Sequence, residues 1–182
     1  MQKLSPENIF TSLLNRSTPI AVAQIQGNME YPHLFGVVSF YDTPFGGILV
    51  STEIYGLPDK LVAKMNANET VIKKASSVSG MHSSNFFGMH IHENGDCTPP
   101  FDKTGSHYNP ANVRHPEHAG DLPPLLSNNG YAWAVFYSGR LRPDDIIGKS
   151  VVIHSMRDDF SSQPAGDSGT KIGCGVIQAA RA

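Results

Sequence analysis

Charge is scarce in this chain. Asp, Glu, Lys and Arg make up 16% of its 182 residues, against about a quarter in an ordinary soluble domain. Neither sign dominates: 14 basic and 16 acidic residues leave a formal net charge of −2 with histidine neutral, so the basic surface that holds nucleic acid is missing. No apolar run approaches the roughly 18 residues that cross a bilayer, which argues against a membrane partner. Met1-Gln2-Lys3-Leu4 leads into polar sequence without the apolar stretch of a secretory signal. That absence points to the cytoplasm, whereas a leader already removed would place the protein in a periplasm or outside the cell. Cysteine is limited to two residues, too few for a disulfide scaffold and enough for one staple. A lasting disulfide is commoner in oxidising compartments, so the two compartment signals pull in opposite directions.

Turn formers, by contrast, are plentiful, with 17 Gly and 13 Pro. Together with the low charge they predict a single all-β domain with many turns and long loops. Ser5-Pro6-Glu7 reads as a helix start, with serine as N-cap and proline in the first turn. Ile9, Phe10, Leu13 and Leu14 then share one face, so residues 1–20 are expected to form an extension whose short helix packs outside the main body, residues 21–182. Strand character follows at Ala21–Gln26, Leu34–Tyr41 and Ile48–Tyr55, the last two joined by Asp42-Thr43-Pro44-Phe45-Gly46-Gly47. It returns at Phe86–His92, Tyr131–Tyr137, Lys149–His154 and Cys174–Ala179. Residues 59–85 mix a helical face (Leu61, Val62, Met65) with strand character at Glu69–Ile72 and read as an insertion. Two long stretches, Glu93–Asn129 and Ser155–Lys171, are expected to be functional loops.

Six of the eight histidines fall between positions 90 and 154. His90 and His92 are two apart on a predicted strand and so share a face, with Met89 and Ile91 turned the other way into the core. Alone, His-x-His is weak, and it also occurs in cupins and carbonic anhydrases. His115, His118 and Asp121 lie within seven residues on a loop marked by Pro and Gly. If His107 adds a third nitrogen, they make a closed tetrahedral zinc set. His154 would then join His90, His92 and again His107 in an all-imidazole set that suits copper.

Taken as a set, these segments resemble the copper/zinc superoxide dismutases of the bacterial type. The resemblance is carried by Gly88-Met89-His90-Ile91-His92, Gly105-Ser106-His107-Tyr108-Asn109-Pro110 and His118-Ala119-Gly120-Asp121-Leu122, then by Val151-Val152-Ile153-His154 and Gly173-Cys174-Gly175-Val176-Ile177. It runs from about Ala21 to the C-terminus. It implies an eight-stranded Greek-key β-barrel or sandwich with two long functional loops. It also implies superoxide as substrate, disproportionated to dioxygen and hydrogen peroxide by copper cycling between its two oxidation states, and it leaves a homodimer open. By matched position His90, His92, His107 and His154 are the implied copper ligands. His107, His115, His118 and Asp121 are the implied zinc ligands, with His107 bridging and carrying the catalytic proton. Asp158 matches the carboxylate that orients one histidine of each set, and Cys97 and Cys174 match the intrasubunit disulfide.

The chain departs from the family pattern in three places. His115 and His118 are more closely spaced, so the zinc loop must turn tightly. Lys171 stands where the family usually has an active-site arginine, keeping the charge without the planar fork of donors; Arg157 is a weaker candidate for guiding the anion. Residues 59–85 have no counterpart. Two rivals to the enzyme reading are a non-catalytic metal carrier of the same fold, which would need a missing ligand or blocked channel, and an unrelated β-fold zinc enzyme of cupin or hydrolytic type, which would leave several of these residues without a task.

Overall fold

The computed structural model describes residues 5–58 and 85–180. Helix α1 spans Pro6–Arg16, with the Ser5 hydroxyl accepting from the Asn8 N–H at 3.3 Å and Ser17 N–H closing onto the Leu13 carbonyl. None of its residues is fully buried. It lies against the body through Phe10, whose ring meets those of Phe45 and Tyr137 at 5.9 and 5.7 Å, the outside packing predicted from its narrow apolar face.

Nine strands follow among the described residues: β1 Ala21–Gly27, β2 Phe35–Asp42, β3 Ile48–Tyr55, β4 Phe86–Phe87, β5 Met89–His92, β6 Leu125–Leu126, β7 Ala132–Ser138, β8 Ser150–His154 and β9 Lys171–Ala179. Seven form one antiparallel sheet in the order β5-β8-β9-β1-β2-β3-β7, and β4 pairs with β6 in a separate ribbon. After β3 the chain thus joins the opposite edge before returning to pair beside β3. The sheet curls around one apolar core that includes Ile25, Phe40, Val50, Ile54, Met89, Ile91 and Ile153. A short helix, α2 (Pro143–Ile146), precedes β8.

The expected all-β fold with two long loops and a short outer helix holds, but among the described residues the strands form a curled seven-stranded sheet and a two-stranded ribbon rather than one set of eight. Details differ where the pattern is too short to read. The predicted strand Phe86–His92 breaks at Gly88, whose N–H turns to the Met156 carbonyl at 2.8 Å and whose own carbonyl accepts from His154 N–H at 2.9 Å. Strand β9 begins at Lys171 rather than Cys174. The predicted features of residues 59–84 lie outside the described residues.

Candidate metal centre

Strand β5 supplies the first two imidazoles. Its inward residues Met89 and Ile91 join the core, while His90 and His92, 0% and 2% exposed, turn to the other face beneath the loops. Strand β8 runs antiparallel beside it and ends at His154, where the register with β9 shifts. An irregularity of this kind re-aims a side chain, and it sets His154 opposite Lys171 at the head of β9.

The loop after β5 folds back over that strand. Isolated bridges join His92 to His107 and His90 to Asp121. Ile91 donates to the Gly120 carbonyl at 2.9 Å and accepts from Tyr108 N–H at 2.8 Å. A Cβ at position 120 would strike the Ile91 carbonyl and the Tyr108 amide, so glycine is required for this close approach. Ligand candidates far apart in sequence are therefore brought together by main-chain pairing.

The result is two four-residue groups sharing one ring: His90, His92, His107 and His154, and His107, His115, His118 and Asp121, each with its donor atoms within 4.8 Å of one another and every member buried. His107 stacks on His90 with centroids 3.9 Å apart, and its Nδ1 lies 2.7 Å from Asp121 Oδ1. The Nε2 atoms of His92 and His154 face each other at 3.3 Å. Asp158, 3% exposed, reaches both groups: Oδ2 is 2.8 Å from His90 Nε2 and Oδ1 is 2.9 Å from His115 Nε2, while the Phe160 N–H donates to Oδ1 at 2.7 Å. Gly166 (φ +66°) leaves the space that this carboxylate occupies, since a Cβ there would collide with Asp158 Oδ1 and His115 Nε2.

Whether these residues suit metal ions can be judged from their unpartnered atoms. Six buried side-chain polar atoms among the described residues have no hydrogen-bond partner, and four are ring nitrogens of this cluster: His90 Nδ1, His107 Nε2, His115 Nδ1 and His118 Nδ1. The last two approach Asp121 Oδ2 at 3.1 and 3.2 Å without hydrogen-bond geometry. An unsatisfied buried polar atom costs about 1–3 kcal/mol, so four in one spot mark where an ion is received. Protonation favours the same outcome. Burial lowers the pKa of His90, of His154 and of His92, the last to about 3, which leaves these rings neutral with lone pairs free at pH 7, as ligation requires. Burial works to raise the Asp121 carboxyl, but the His107 hydrogen bond and the nearby imidazoles overcome it and hold the pKa near 2. One all-imidazole group fits copper and one His3Asp group fits zinc.

A cavity of about 450 Å³ opens onto the centre, lined by His92, His107, His118, His154 and Lys171. His90 lies behind, fully buried. Lys171 is half-buried, and burial lowers its pKa. Its ammonium donates to Thr104 Oγ1 at 2.8 Å and to the Gly105 and Phe101 carbonyls at 3.2 and 3.4 Å. Arg157 is exposed and does not line this cavity. Cys97 and Cys174 are joined in a disulfide between the loop and β9, packed on Phe101 and Val152. A smaller recess of about 320 Å³ beside that disulfide has no charged side chain in its lining.

The family model for copper/zinc superoxide dismutase matches residues 60–177. This chain belongs to the copper/zinc superoxide dismutase family. Among its relatives, "Superoxide dismutase [Cu-Zn]" of Deinococcus radiodurans is 36% identical over 114 residues, covering 50% of this chain and 63% of that protein. "Superoxide dismutase [Cu-Zn] 2" of Aquifex aeolicus is 32% identical over 138 residues, covering 63% and 75%. The extracellular enzyme of Mus musculus is 38% identical over 98 residues, covering 49% and 39%. The chain thus spans less than two thirds of the length of the first and third of these relatives. A crystal structure of a double mutant of a SOD-like protein from Bacillus subtilis superposes with a TM-score of 0.67 over 87% of this chain and 97% of that one at 23% identity, a likeness of fold.

Two side chains absent from the sequence reading belong to the centre's support. Gln163 bonds the main chain of His115 at both its N–H and its carbonyl. Arg140 donates to the Pro116 carbonyl at 3.1 Å and the Asp121 carbonyl at 2.9 Å. Neither carries a local signal, because the main-chain groups of the centre that each bonds lie at least 19 positions away. Among the described residues no helix is long and apolar enough to cross a membrane.

Proposed function

We propose that this chain is a superoxide dismutase, converting two superoxide ions and two protons to dioxygen and hydrogen peroxide. The reading is carried by His107, the ring that the two four-residue donor groups share. In it His90, His92, His107 and His154 hold copper, and His107, His115, His118 and Asp121 hold zinc. When bound, copper supplies a one-electron couple and zinc a redox-silent positive charge.

The chain's own residues supply the rest. Asp158 accepts the outward N–H of His90 and of His115, so each ring presents its Nδ1 inward. The Gly105 carbonyl, 2.8 Å from His92 Nδ1, directs that ring's Nε2 inward in the same way. His107 Nε2 is the buried, unpartnered nitrogen of the shared ring, and it is the atom at which a proton would be held and passed to the nascent peroxide. His107 and His154 line the cavity, so a small anion can approach the shared ring while His90 stays shielded. A protein of net charge −2 needs a local cation to draw an anion in. Lys171 is that cation, fixed by three acceptors at the cavity wall.

The test is metal analysis joined to a superoxide-consumption assay on protein loaded with both ions. One copper and one zinc per chain with fast turnover is the expected result. Full loading without turnover would overturn the reading in favour of a metal carrier.

A further inference from the structure

Gln163 lies outside both donor groups, yet it grips the main chain of one member more fully than any residue of that member's own loop. Its Oε1 accepts from the His115 N–H at 3.1 Å, and its Nε2 donates to the His115 carbonyl at 2.7 Å and to the Ser161 carbonyl at 3.3 Å. A single amide satisfies both main-chain polar groups of one residue 48 positions away. His115 has need of this. It is followed by Pro116, which offers no N–H, and only two residues separate it from His118. The bonds inside the turn run from Glu117 N–H to the Arg114 carbonyl and from Asp121 N–H to the His118 carbonyl, bypassing His115. The ring itself is held at Nε2 by Asp158, while Nδ1 has no hydrogen bond. A ring anchored at one nitrogen keeps its aim only if its Cα cannot move.

We infer that Gln163 is a positioning residue for the zinc-side group, fixing His115 so that Nδ1 points at the ion's place before the ion arrives. The inference rests on the reading that His107, His115, His118 and Asp121 hold zinc. The short turn between His115 and His118 lacks main-chain bonds of its own at His115, and the loop after β8 supplies them from outside. That loop carries both Asp158 and Gln163, so ring and backbone of His115 are held by one segment. Preorganisation of this kind raises affinity by removing an ordering cost from the binding step.

Two substitutions test it. Gln163→Glu keeps the shape and the acceptor for His115 N–H but sets an oxygen against the His115 carbonyl; Gln163→Ala removes both bonds. Zinc affinity is measured on copper-free protein by competition with a chromophoric chelator, and Co²⁺ placed in the same site reports ligand geometry through its visible absorption. Both variants are expected to bind zinc at least roughly tenfold more weakly, with an altered Co²⁺ spectrum. Circular dichroism of the metal-free proteins establishes that they are folded, and Gln163→Glu carries the test should the alanine variant not fold. Wild-type affinity and an unchanged Co²⁺ spectrum in a folded variant overturn the inference, even where the melting temperature falls. If wild-type protein takes up no zinc, the zinc reading itself fails and this inference falls with it.

Discussion

Removing the Cys97–Cys174 bond is a perturbation whose size can be worked out in advance. The two residues are 77 apart in sequence. In the chain-entropy model, cross-linking a loop of that length removes about 15 cal/mol/K from the unfolded ensemble, which is about 4.5 kcal/mol at 25 °C. Domains of 150–250 residues lose about 2–4 °C of melting temperature per kcal/mol, so Cys97→Ala with Cys174→Ala should melt about 9–18 °C lower. The comparison must be made on metal-free protein in chelator, because ions that bind only the folded state add their own stabilisation. Thermal unfolding followed by far-ultraviolet circular dichroism is the assay. A second effect should accompany the first. The chain from Cys97 leads to Phe101, Thr104 and Gly105, the acceptors of Lys171, and the Gly105 carbonyl also meets His92. Loosening that chain frees Lys171 and His92, so fully metallated variant should turn over severalfold more slowly at a temperature where it remains folded. A melting temperature within about 3 °C of wild type would refute the entropic argument.

Lys171→Ala should lower the second-order rate with superoxide severalfold and flatten its dependence on ionic strength, as expected when a local field sets the encounter rate; an unchanged rate at low salt removes Lys171 from that role. Asp158→Asn leaves one acceptor oxygen where the carboxylate uses two, so at least one of His90 and His115 loses its partner. Affinity for copper, zinc or both should fall about 10–100-fold by chelator competition, and wild-type affinity for both ions would defeat the argument. The metal-free protein should lose stability as pH falls below 6.5. Burial lowers the folded-state pKa of His90, His92 and His154, so between that pH and the lowered values the unfolded chain binds protons the folded one refuses. Urea midpoints across this range check it, and a flat profile contradicts it.

Much of the centre could be read from residue types and spacing. His-x-His on a strand has only one arrangement that puts both rings on a face, and Met89 and Ile91 do enter the core. Asp158 and the cysteine pair came through resemblance; in the structure Asp158 lies against one histidine of each group, and the two cysteines are bonded. What escaped was either too short or too distant. Leu125–Leu126 pairs with Phe86–Phe87 over two residues, which is no periodicity at all. The early start of β9 at Lys171 is set by pairing with His154 across a register shift, a tertiary event without local trace. Gln163 and Arg140 look like ordinary polar loop residues, because the carbonyls they serve are supplied by the fold.

In the proposed reading one ring would face two ions, and such a ring would also couple them. Whichever arrived first would hold the imidazole of His107 in the orientation the second requires. Around a closed thermodynamic cycle the factor by which zinc strengthens copper binding must equal the factor by which copper strengthens zinc binding. Loading experiments begun from opposite ends should therefore yield one and the same coupling constant, and substitutions on either flank of that ring should register in the occupancy of both.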